Sequence, residues 1–353
     1  MTKTTKRHVS MPSIEQFRNV IANINRQFNF VGLDENGEAI YNYTKIKPTL
    51  TFKGTVKLHG TNAAVCYNSE GGLWAQSKEN VITPEADNMG FAFFVHSIEA
   101  EFRKLIGAIV ATTGIDIKDN IISIFGEWAG GSIQKTVALN NLPKSFFIFG
   151  VKISPIVDKN DEAAIKANPA YWVDHTYLRS PEQRIFNISD YPTWEMDINF
   201  NEPEMVQNKL SDLTLAVEEE CPVGKAFGFS GIGEGIVWAC EFKGVVHRFK
   251  VKGIKHSASK VKTLAAVDVE KITGIKEFVE YAVTESRFNQ ALEKVFLNGE
   301  PVDIKKLGNI IKWVIDDVIK EEMDTMVKNN LEPKDIGKYI STKVREMFFK
   351  LPV

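Results

Sequence analysis

The residues of this chain best suited to chemistry are a lysine close to a glycine, two isolated glutamates and a late pair of lysines. They lie in five short segments, in the order Lys57-Leu58-His59-Gly60-Thr61-Asn62, Phe125-Gly126-Glu127, Phe146-Phe147-Ile148-Phe149, Glu234-Gly235-Ile236-Val237 and Lys250-Val251-Lys252-Gly253. A deprotonated lysine nitrogen can attack phosphorus, so the set predicts chemistry in which a lysine carries a phosphorus-bound group. Lys-x-x-Gly alone occurs seven times in the chain, so the prediction depends on the ordered set and not on one motif.

We interpret Lys57 as the nucleophile. Burial and nearby positive charge lower the pKa of a lysine, and Lys250 and Lys252 would supply that charge. The same pair would neutralise the oxygens of the attacked phosphate. Gly60 permits a tight turn after a strand, and the Asn62 amide could bind a second substrate. The alternative interpretation of an isolated Lys-x-x-Gly is a surface lysine beside a turn.

Glu127 and Glu234 each lie at the end of an apolar stretch typical of a strand. A carboxylate there could hold ribose hydroxyls or Mg²⁺, which takes one or two carboxylates together with phosphates and water. Phe149 could stack on a purine ring. Taken singly, each glutamate is more typical of a solvated loop acid, and each phenylalanine is more typical of a hydrophobic core.

A basic stretch follows from residue 247 to residue 262 without an acidic residue; it contains Arg248, Lys250, Lys252, Lys255, Lys260 and Lys262. In a chain of net charge −2, such a stretch indicates a local surface that faces phosphate. The alternative is a solvated basic strand and linker.

The composition, with 44% hydrophobic and 25% charged residues, is that of an ordinary globular protein, and 353 residues suffice for two cores. Three cysteines without metal-type spacing indicate reduced thiols in a cytosol-like compartment. The six histidines show no metal-ligand spacing either. We expect no secretory leader and no membrane span, because no apolar run approaches the roughly 20 residues that a bilayer requires.

The chain changes character near residue 262. Before it, short β-branched and aromatic runs predict strands at 55–58, 63–67, 121–125, 146–153, 236–240 and 245–250, with helices at 13–28, 90–113 and 202–221. After it, apolar residues recur at helical spacing throughout, with Asp303 as a predicted N-cap and Pro333 as a helix start. The sequence therefore predicts an α+β fold with one domain over residues 1–262 and a small all-helical domain over residues 263–353.

The ordered set resembles the RNA ligase 2-like family, a branch of the lysine-dependent nucleotidyltransferases, which also include DNA ligases and mRNA capping enzymes. The segment from Lys57 to Asn62 fits the first family motif, Lys-x-His-Gly-x-Asn, and the segments at Glu127, Glu234 and Lys250 fit the third, fourth and fifth. Ile133-Gln134-Lys135 is similar to the phage members. Two positions depart from the pattern: Lys78 replaces the arginine that ends the second motif, and Gly150 replaces the acid that often follows the aromatic residue at Phe149.

The resemblance implies a nucleotidyltransferase domain with ATP-grasp-like antiparallel or mixed sheets, and a reaction in three steps. Lys57 attacks the α-phosphate of ATP, forms lysyl-AMP and releases pyrophosphate. AMP then passes to the 5′-phosphate at a nick, and the 3′-hydroxyl attacks that end as AMP leaves. The resemblance implies that Lys250 and Lys252 bind the α-phosphate and that Glu234 helps to place the metal. It implies that Glu127 binds the ribose and that Phe149 stacks on the adenine. Asn62 would serve the later steps at the nick, and His59 would support Lys57 or the departure of pyrophosphate. Lys78 is expected among the nucleotide-binding residues, with Mg²⁺, or alternatively Mn²⁺, shielding phosphate charge.

We expect a cytoplasmic monomer, in the host cytoplasm if the chain is viral, that acts on nicked duplex RNA or an RNA/DNA hybrid. An ATP-dependent DNA ligase and a catalytically inactive nucleic-acid-binding relative stay as alternatives, because duplex shape and the 2′-hydroxyl decide between RNA and DNA. A capping enzyme is disfavoured, since the helical tail replaces the OB-fold of about five strands usual there. The remaining alternative is an unrelated two-domain protein with chance motifs.

Overall fold

A computed structural model describes residues 6–42, 46–158, 160–201, 203–253, 255–256, 275–296, 302–329 and 331–351 of the chain. The strands are β1 (Phe30–Leu33), β2 (Ala39–Tyr41), β3 (Thr49–Lys57), β4 (Thr61–Asn68), β5 (Gly72–Ser77), β6 (Val81–Ile82), β7 (Asn120–Ala129), β8 (Ser145–Pro155), β9 (Tyr171–Val173), β10 (Ile185–Asn187), β11 (Thr193–Asn199), β12 (Gly235–Phe242) and β13 (Val245–Lys252). The helices are α1 (Phe17–Asn29), α2 (Phe91–Ser97), α3 (Glu99–Thr113), α4 (Glu162–Ala167), α5 (Gln207–Glu219), α6 (Pro222–Ala226), α7 (Ile275–Ala282), α8 (Glu285–Val295), α9 (Leu307–Lys328) and α10 (Pro333–Phe348).

The larger sheet has the order β10-β8-β7-β4-β5-β6, with β9 also paired to β8. Only β10 pairs in parallel; the other pairs are antiparallel. Because side chains alternate along a strand, one face carries Val65 and Ile124 into a core with α2 and α3. The opposite face carries Ala64, Cys66 and Phe125. Val9 and Met11 of the N-terminal segment pack on part of this face, and the part near Glu127 is one wall of the cleft described below.

The smaller sheet has the order β11-β3-β12-β13, and all its pairs are antiparallel. Phe52, Ile236 and Phe249 lie on the face that packs against α1 and α5. The other face, with period-two alternation, carries the side chains of Lys57, Lys250 and their neighbours toward the larger sheet. The cleft is the space between these two faces.

The described part of the chain after residue 275 contains helices and short turns only, and it has a hydrophobic core of its own built from residues such as Phe278, Ile310 and Ile340. Asp303 caps a 3₁₀ turn that leads into α9, and Pro333 is the first residue of α10, as predicted. The proposed boundary between residues 262 and 263 lies outside the described residues. The division into two domains therefore stays a prediction.

The α+β prediction and the six predicted strands are confirmed, while helix boundaries differ in three places. The helix predicted over 202–221 is α5, Gln207–Glu219, preceded by a 3₁₀ turn at Pro203–Val206. The first helix begins at Phe17 instead of residue 13, because Glu15 bonds its backbone to the edge of β13. The predicted helix over 90–113 is two helices, which meet at Ile98. None of the described helices has the length and apolarity needed to cross a bilayer.

Candidate active site

The strand register of the smaller sheet brings three distant segments of the sequence together. Gly235 of β12 pairs with Lys57 of β3 on one side and with Lys252 of β13 on the other. Directly opposed residues project to the same face, so the two lysine side chains flank a position that has no side chain. Lys250, two residues before Lys252, projects from that face as well. Three cations therefore converge on the cleft, each about one-fifth exposed at 19%, 22% and 21% for Lys57, Lys250 and Lys252.

Glu234 is the buried centre of this cluster, with 2% of its side chain exposed. Lys57 Nζ donates to Glu234 Oε2 at 2.6 Å, and Lys252 Nζ lies 3.1 Å from Oε1. Burial opposes the charge on this carboxylate, but Lys57, Lys252 and His59 overcome it and hold the pKa of Glu234 well below its usual range. The pKa of Lys252 is raised, because Glu234 outweighs the effect of burial. Glu234 thus places a buried negative charge between Lys57 and Lys252.

His59 follows β3 and turns its ring toward the same carboxylate. Its Nδ1 lies 3.4 Å from Glu234 Oε2, and its Nε2 lies 3.8 Å from Glu293 of α8. The His59 ring also meets the His256 ring edge-on, with centroids 5.3 Å apart. His59 therefore connects the lysine cluster to the helical tail.

Glu127 and Asn62 project from the larger sheet, where they are direct partners in the pairing of β4 with β7. The Gly60 N–H donates to Glu127 Oε1 at 2.9 Å. A Cβ at Gly60 would come within 2.4 Å of the Trp128 carbonyl oxygen, so this approach requires glycine. Burial raises the pKa of Glu127, Lys57 opposes that shift, and Glu234 adds to it.

Phe149 lies at an irregularity of β8, where Phe125 pairs with Gly150 and Gly126 pairs with Ile148. The extra residue leaves the ring of Phe149 half-buried, in contact with the core of the smaller sheet and with the apolar face of the cleft. A planar base could therefore reach this ring from the cleft.

Lys78 is not brought into the cluster. It follows the end of β5, its side chain is 68% exposed, and its ammonium lies 3.6 Å from Glu79. Lys294 of α8 is an exposed residue whose pKa is lowered by partial burial of its ammonium; Lys78 and Lys252 lower it further, and Glu127 opposes them.

The helical tail contributes residues that the sequence analysis did not identify. Glu321 of α9 lies 3.8 Å from Lys250 Nζ and also accepts from Gln16. Burial lowers the pKa of Lys250 to about 8, although Glu321 acts in the opposite direction. No local signal marks such residues, because a charged side chain on an amphipathic helix is typical of a solvated face.

The basic stretch after β12 divides into two parts. Residues 248 to 252 lie on β13, and Lys255 donates its backbone N–H to the buried Glu218 of α5 at 2.6 Å. Burial lowers the pKa of His256, in the same turn, to about 4, so this ring is neutral at physiological pH. Lys260 and Lys262 lie outside the described residues.

The arrangement suits a ligand with a phosphate at the lysines and a flat ring near Phe149. No cluster of three or more metal-ligating side chains occurs in the described ranges. Two carboxylates, Glu234 and Glu127, nevertheless face the cleft, and Mg²⁺ that is held chiefly by phosphates and water needs no more than these.

A family model described as RNA ligase matches residues 51–252. No match was found among curated proteins. Among solved structures, the chain is similar to the Naegleria gruberi RNA ligase with PPi, at 15% identity and a TM-score of 0.38, over 71% of this chain and 60% of that one. It is also similar to a mutant of that ligase with ATP and Mn, at 15% identity and a TM-score of 0.39, over 69% of this chain and 55% of that one. This chain thus spans less than two thirds of those ligases, and TM-scores of this size do not establish a common fold.

Proposed function

Because this chain belongs to the RNA ligase family, whose model matches residues 51–252, we propose that it is an ATP-dependent polynucleotide ligase that works through lysyl-AMP. The observation that supports this most is the convergence of Lys57, Lys250 and Lys252 on one face around the buried Glu234. A transferred phosphate needs a nucleophile on one side and fixed positive charge around its oxygens. The lysine cluster offers both.

In this proposal, Lys57 Nζ forms a P–N bond to the α-phosphorus of ATP while the bond to the pyrophosphate oxygen breaks. Lys57 must first lose its proton to solvent and give up its contact with Glu234 at 2.6 Å. Lys250 and Lys252 then hold the α-phosphate oxygens, and His59 orients Glu234. Glu127 receives the ribose, and Phe149 receives the adenine ring.

AMP next passes from Lys57 to the 5′-phosphate of a nick, and the 3′-hydroxyl displaces AMP to form the phosphodiester bond. We assign Asn62, which lies beside Glu127 on the wall of the cleft, to these later steps. Glu234, with Glu127 nearby, would hold Mg²⁺ or Mn²⁺, which when bound shields phosphate charge. Lys78 is exposed after the end of β5, and we keep it as a weaker candidate for the nucleotide site.

We propose nicked duplex RNA or an RNA/DNA hybrid as the substrate and a cytoplasmic monomer as the working form. Three free cysteines, Cys66, Cys221 and Cys240, support a reducing compartment. We also propose that residues 263–353 form a separate helical domain, supported by the hydrophobic core that α7 to α10 build among themselves. A DNA ligase and a binding protein without catalysis are the alternatives.

The test is nucleotide attachment. Purified protein, freed of any bound AMP, is incubated with a divalent metal and α-labelled ATP or α-labelled GTP, and then run on a denaturing gel. We expect an acid-labile labelled band with ATP only, absent in Lys57→Ala and present in Lys53→Ala, an exposed lysine on the same strand. No band from folded wild-type protein would contradict the ligase proposal and favour a binding protein.

Sealing is tested separately. Nicked duplexes that carry ribose or deoxyribose on each side of the nick are compared at one salt concentration. The proposal expects sealing of the duplexes with RNA at the nick; sealing of all-DNA nicks alone would favour the DNA ligase alternative.

A further inference from the structure

Arg248 lies in the cleft at the end opposite Lys57. It is on β13, four residues before Lys252, and therefore projects from the same face of the smaller sheet. Its Cζ lies 4.0 Å from the centre of the Trp172 ring, a residue of β9 in the larger sheet. The guanidinium and the indole thus join the two sheets where the cleft ends.

The charge of Arg248 lacks a counter-charge in the described part of the chain. Burial alone lowers its pKa, to about 10, and no carboxylate acts in the opposite direction. The charged groups that face it are Lys152, 6.0 Å from the same indole ring, and His175. Burial lowers the pKa of both, the Arg248 charge lowers both further, and Asp174 acts to raise the pKa of His175. A desolvated guanidinium with five N–H donors is costly unless an acceptor meets it. The structure therefore leaves a donor group prepared for an acceptor on a ligand.

The length of the cleft indicates which part of a ligand reaches Arg248. Four residues of β13 separate Arg248 from Lys252, which corresponds to about 13 Å along a strand. A mononucleotide with its phosphate at Lys57 and its ring beside Phe149 lies along this line. The far edge of its base then faces Arg248. A purine presents unprotonated ring nitrogens at its edges, and these accept hydrogen bonds.

We propose that Arg248, held over the Trp172 ring, donates a hydrogen bond to a ring nitrogen of the adenine base and so contributes to nucleotide recognition. This inference depends on the proposed function, because it takes ATP as the ligand of the cleft. Arg248 binds the base and does not touch the reacting phosphate.

Gly150 is the position that makes this arrangement possible. It occupies the place where an acid often follows the aromatic residue in the family that the sequence resembles. A Cβ on Gly150 would come within 2.9 Å of the Trp172 ring, so any side chain there would displace the indole. An acid would also neutralise Arg248. Gly150 therefore leaves room for the Trp172 ring and leaves the charge of Arg248 unneutralised.

The experiment measures lysyl-AMP formation with ATP, 1-deaza-ATP and 7-deaza-ATP in the full chain. Arg248→Met keeps the aliphatic stem and removes the donors, and Arg345→Met, on an exposed position of α10, is the matched control. We expect Arg248→Met to raise KM for ATP about tenfold or more with little change in the maximal rate, because the lost hydrogen bond is charge-assisted. In wild type, we also expect the KM of one deaza analogue to exceed that of ATP by about the same factor. In Arg248→Met, that analogue and ATP should have the same KM.

A purely structural role of Arg248 predicts a different pattern. In that case Arg248→Met would lower Tm, and the KM of each deaza analogue relative to that of ATP would be the same in the variant as in wild type. This result would overturn the inference. If Arg248→Met fails to fold, wild type alone tests the inference. Equal KM values of wild type for ATP, 1-deaza-ATP and 7-deaza-ATP would overturn it. If wild type itself attaches no AMP, the proposed function fails instead.

Discussion

The Lys57 ammonium donates to the Glu234 carboxylate at 2.6 Å, and this carboxylate also lies 3.1 Å from Lys252. The residue assigned to attack phosphorus and the residue assigned to place the metal are therefore partners in one ion pair. A protonated amine has no lone pair with which to attack. The structure thus shows Lys57 in a resting arrangement that must change before the first step.

Glu234→Gln tests this relationship. The amide keeps the shape of the side chain but removes the charge that fixes Lys57 and Lys252. We expect AMP attachment at saturating ATP to slow by about 100-fold or more, because the preorganised charges of the site are lost. The labelled band is followed over time on a denaturing gel.

Glu241→Gln is the control, because Glu241 is an exposed acid on β12, the strand that begins directly after Glu234. Its rate should match that of wild type. A rate for Glu234→Gln within twofold of wild type would show that the ion pair has no part in the first step.

Lys250 should give nucleotide binding a pH dependence. Burial lowers its pKa to about 8, so the ammonium that would hold a phosphate is present below pH 8 and is lost as pH rises through that value. We expect the affinity for ATP to fall by about tenfold for each pH unit well above 8, as one proton is required. Equilibrium binding of ATP to Lys57→Ala, which cannot turn over, is measured from pH 6.5 to pH 9.5.

Lys250→Arg serves as the comparison, because arginine keeps its charge over this range. Its profile should be flat above pH 8. A Lys57→Ala profile with Lys250 intact that shows no fall as pH rises from 7.5 to 9.5 would contradict the assignment of Lys250 to the phosphate.

Glu321→Gln should shift the pH profile of ATP affinity to lower pH. Glu321 lies 3.8 Å from Lys250 Nζ and acts to raise the pKa of Lys250. Without its charge, Lys250 loses its proton at lower pH, so the fall in ATP affinity should begin at lower pH. Glu346→Gln, on an exposed position of α10, should leave the midpoint unchanged. A midpoint that stays in place in both variants would show that α9 has no electrostatic effect on the site.

Gly60→Ala should disrupt the turn after Lys57. The added Cβ would lie 2.4 Å from the Trp128 carbonyl oxygen, so the turn must shift and the hydrogen bond from Gly60 N–H to Glu127 weakens. We expect Tm to fall by several degrees, because overpacking costs about 1–3 kcal/mol. AMP attachment should slow as well.

Gly107→Ala is its matched control. Gly107 lies inside α3, where a Cβ would meet nothing within 4 Å. That change should raise stability by about 0.5–1 kcal/mol, because alanine favours a helix interior. Equal losses of Tm in the two variants would refute the steric argument.

Arg287→Met tests the helical tail. Arg287 is 1% exposed; its Nε lies 2.8 Å from Asp317, and one of its terminal nitrogens lies 3.5 Å from Glu322. Removing the Arg287 cation leaves the half-buried Asp317 and the buried Glu322 without this partner. We expect the free energy of unfolding to fall by about 3–5 kcal/mol. Urea unfolding should show this loss, with Arg345→Met as the exposed control. If residues 263–353 are a separate domain, only one of two unfolding transitions should move; a single transition that shifts as a whole would argue against that division.

The strands that carry the site were predictable, because alternation and β-branched residues identify them from local sequence. The segment from Lys57 to Asn62 and the pair Lys250 and Lys252 were found by motif, and the structure brings both to one cleft. The N-terminal segment was not predictable. Val9 forms two backbone hydrogen bonds with the buried Gln76 side chain, and no local pattern marks such a partner 67 residues away.

Local periodicity and motif order thus determined the α+β class, the helical tail and the identity of the candidate nucleophile. Only the tertiary structure decided that Glu234 neutralises Lys57, that Lys78 stays exposed, and that Arg248 lies on Trp172. The physical reason is that secondary structure follows from neighbours along the chain. The charge state and reach of a side chain follow from burial and from partners that strand register brings from far away.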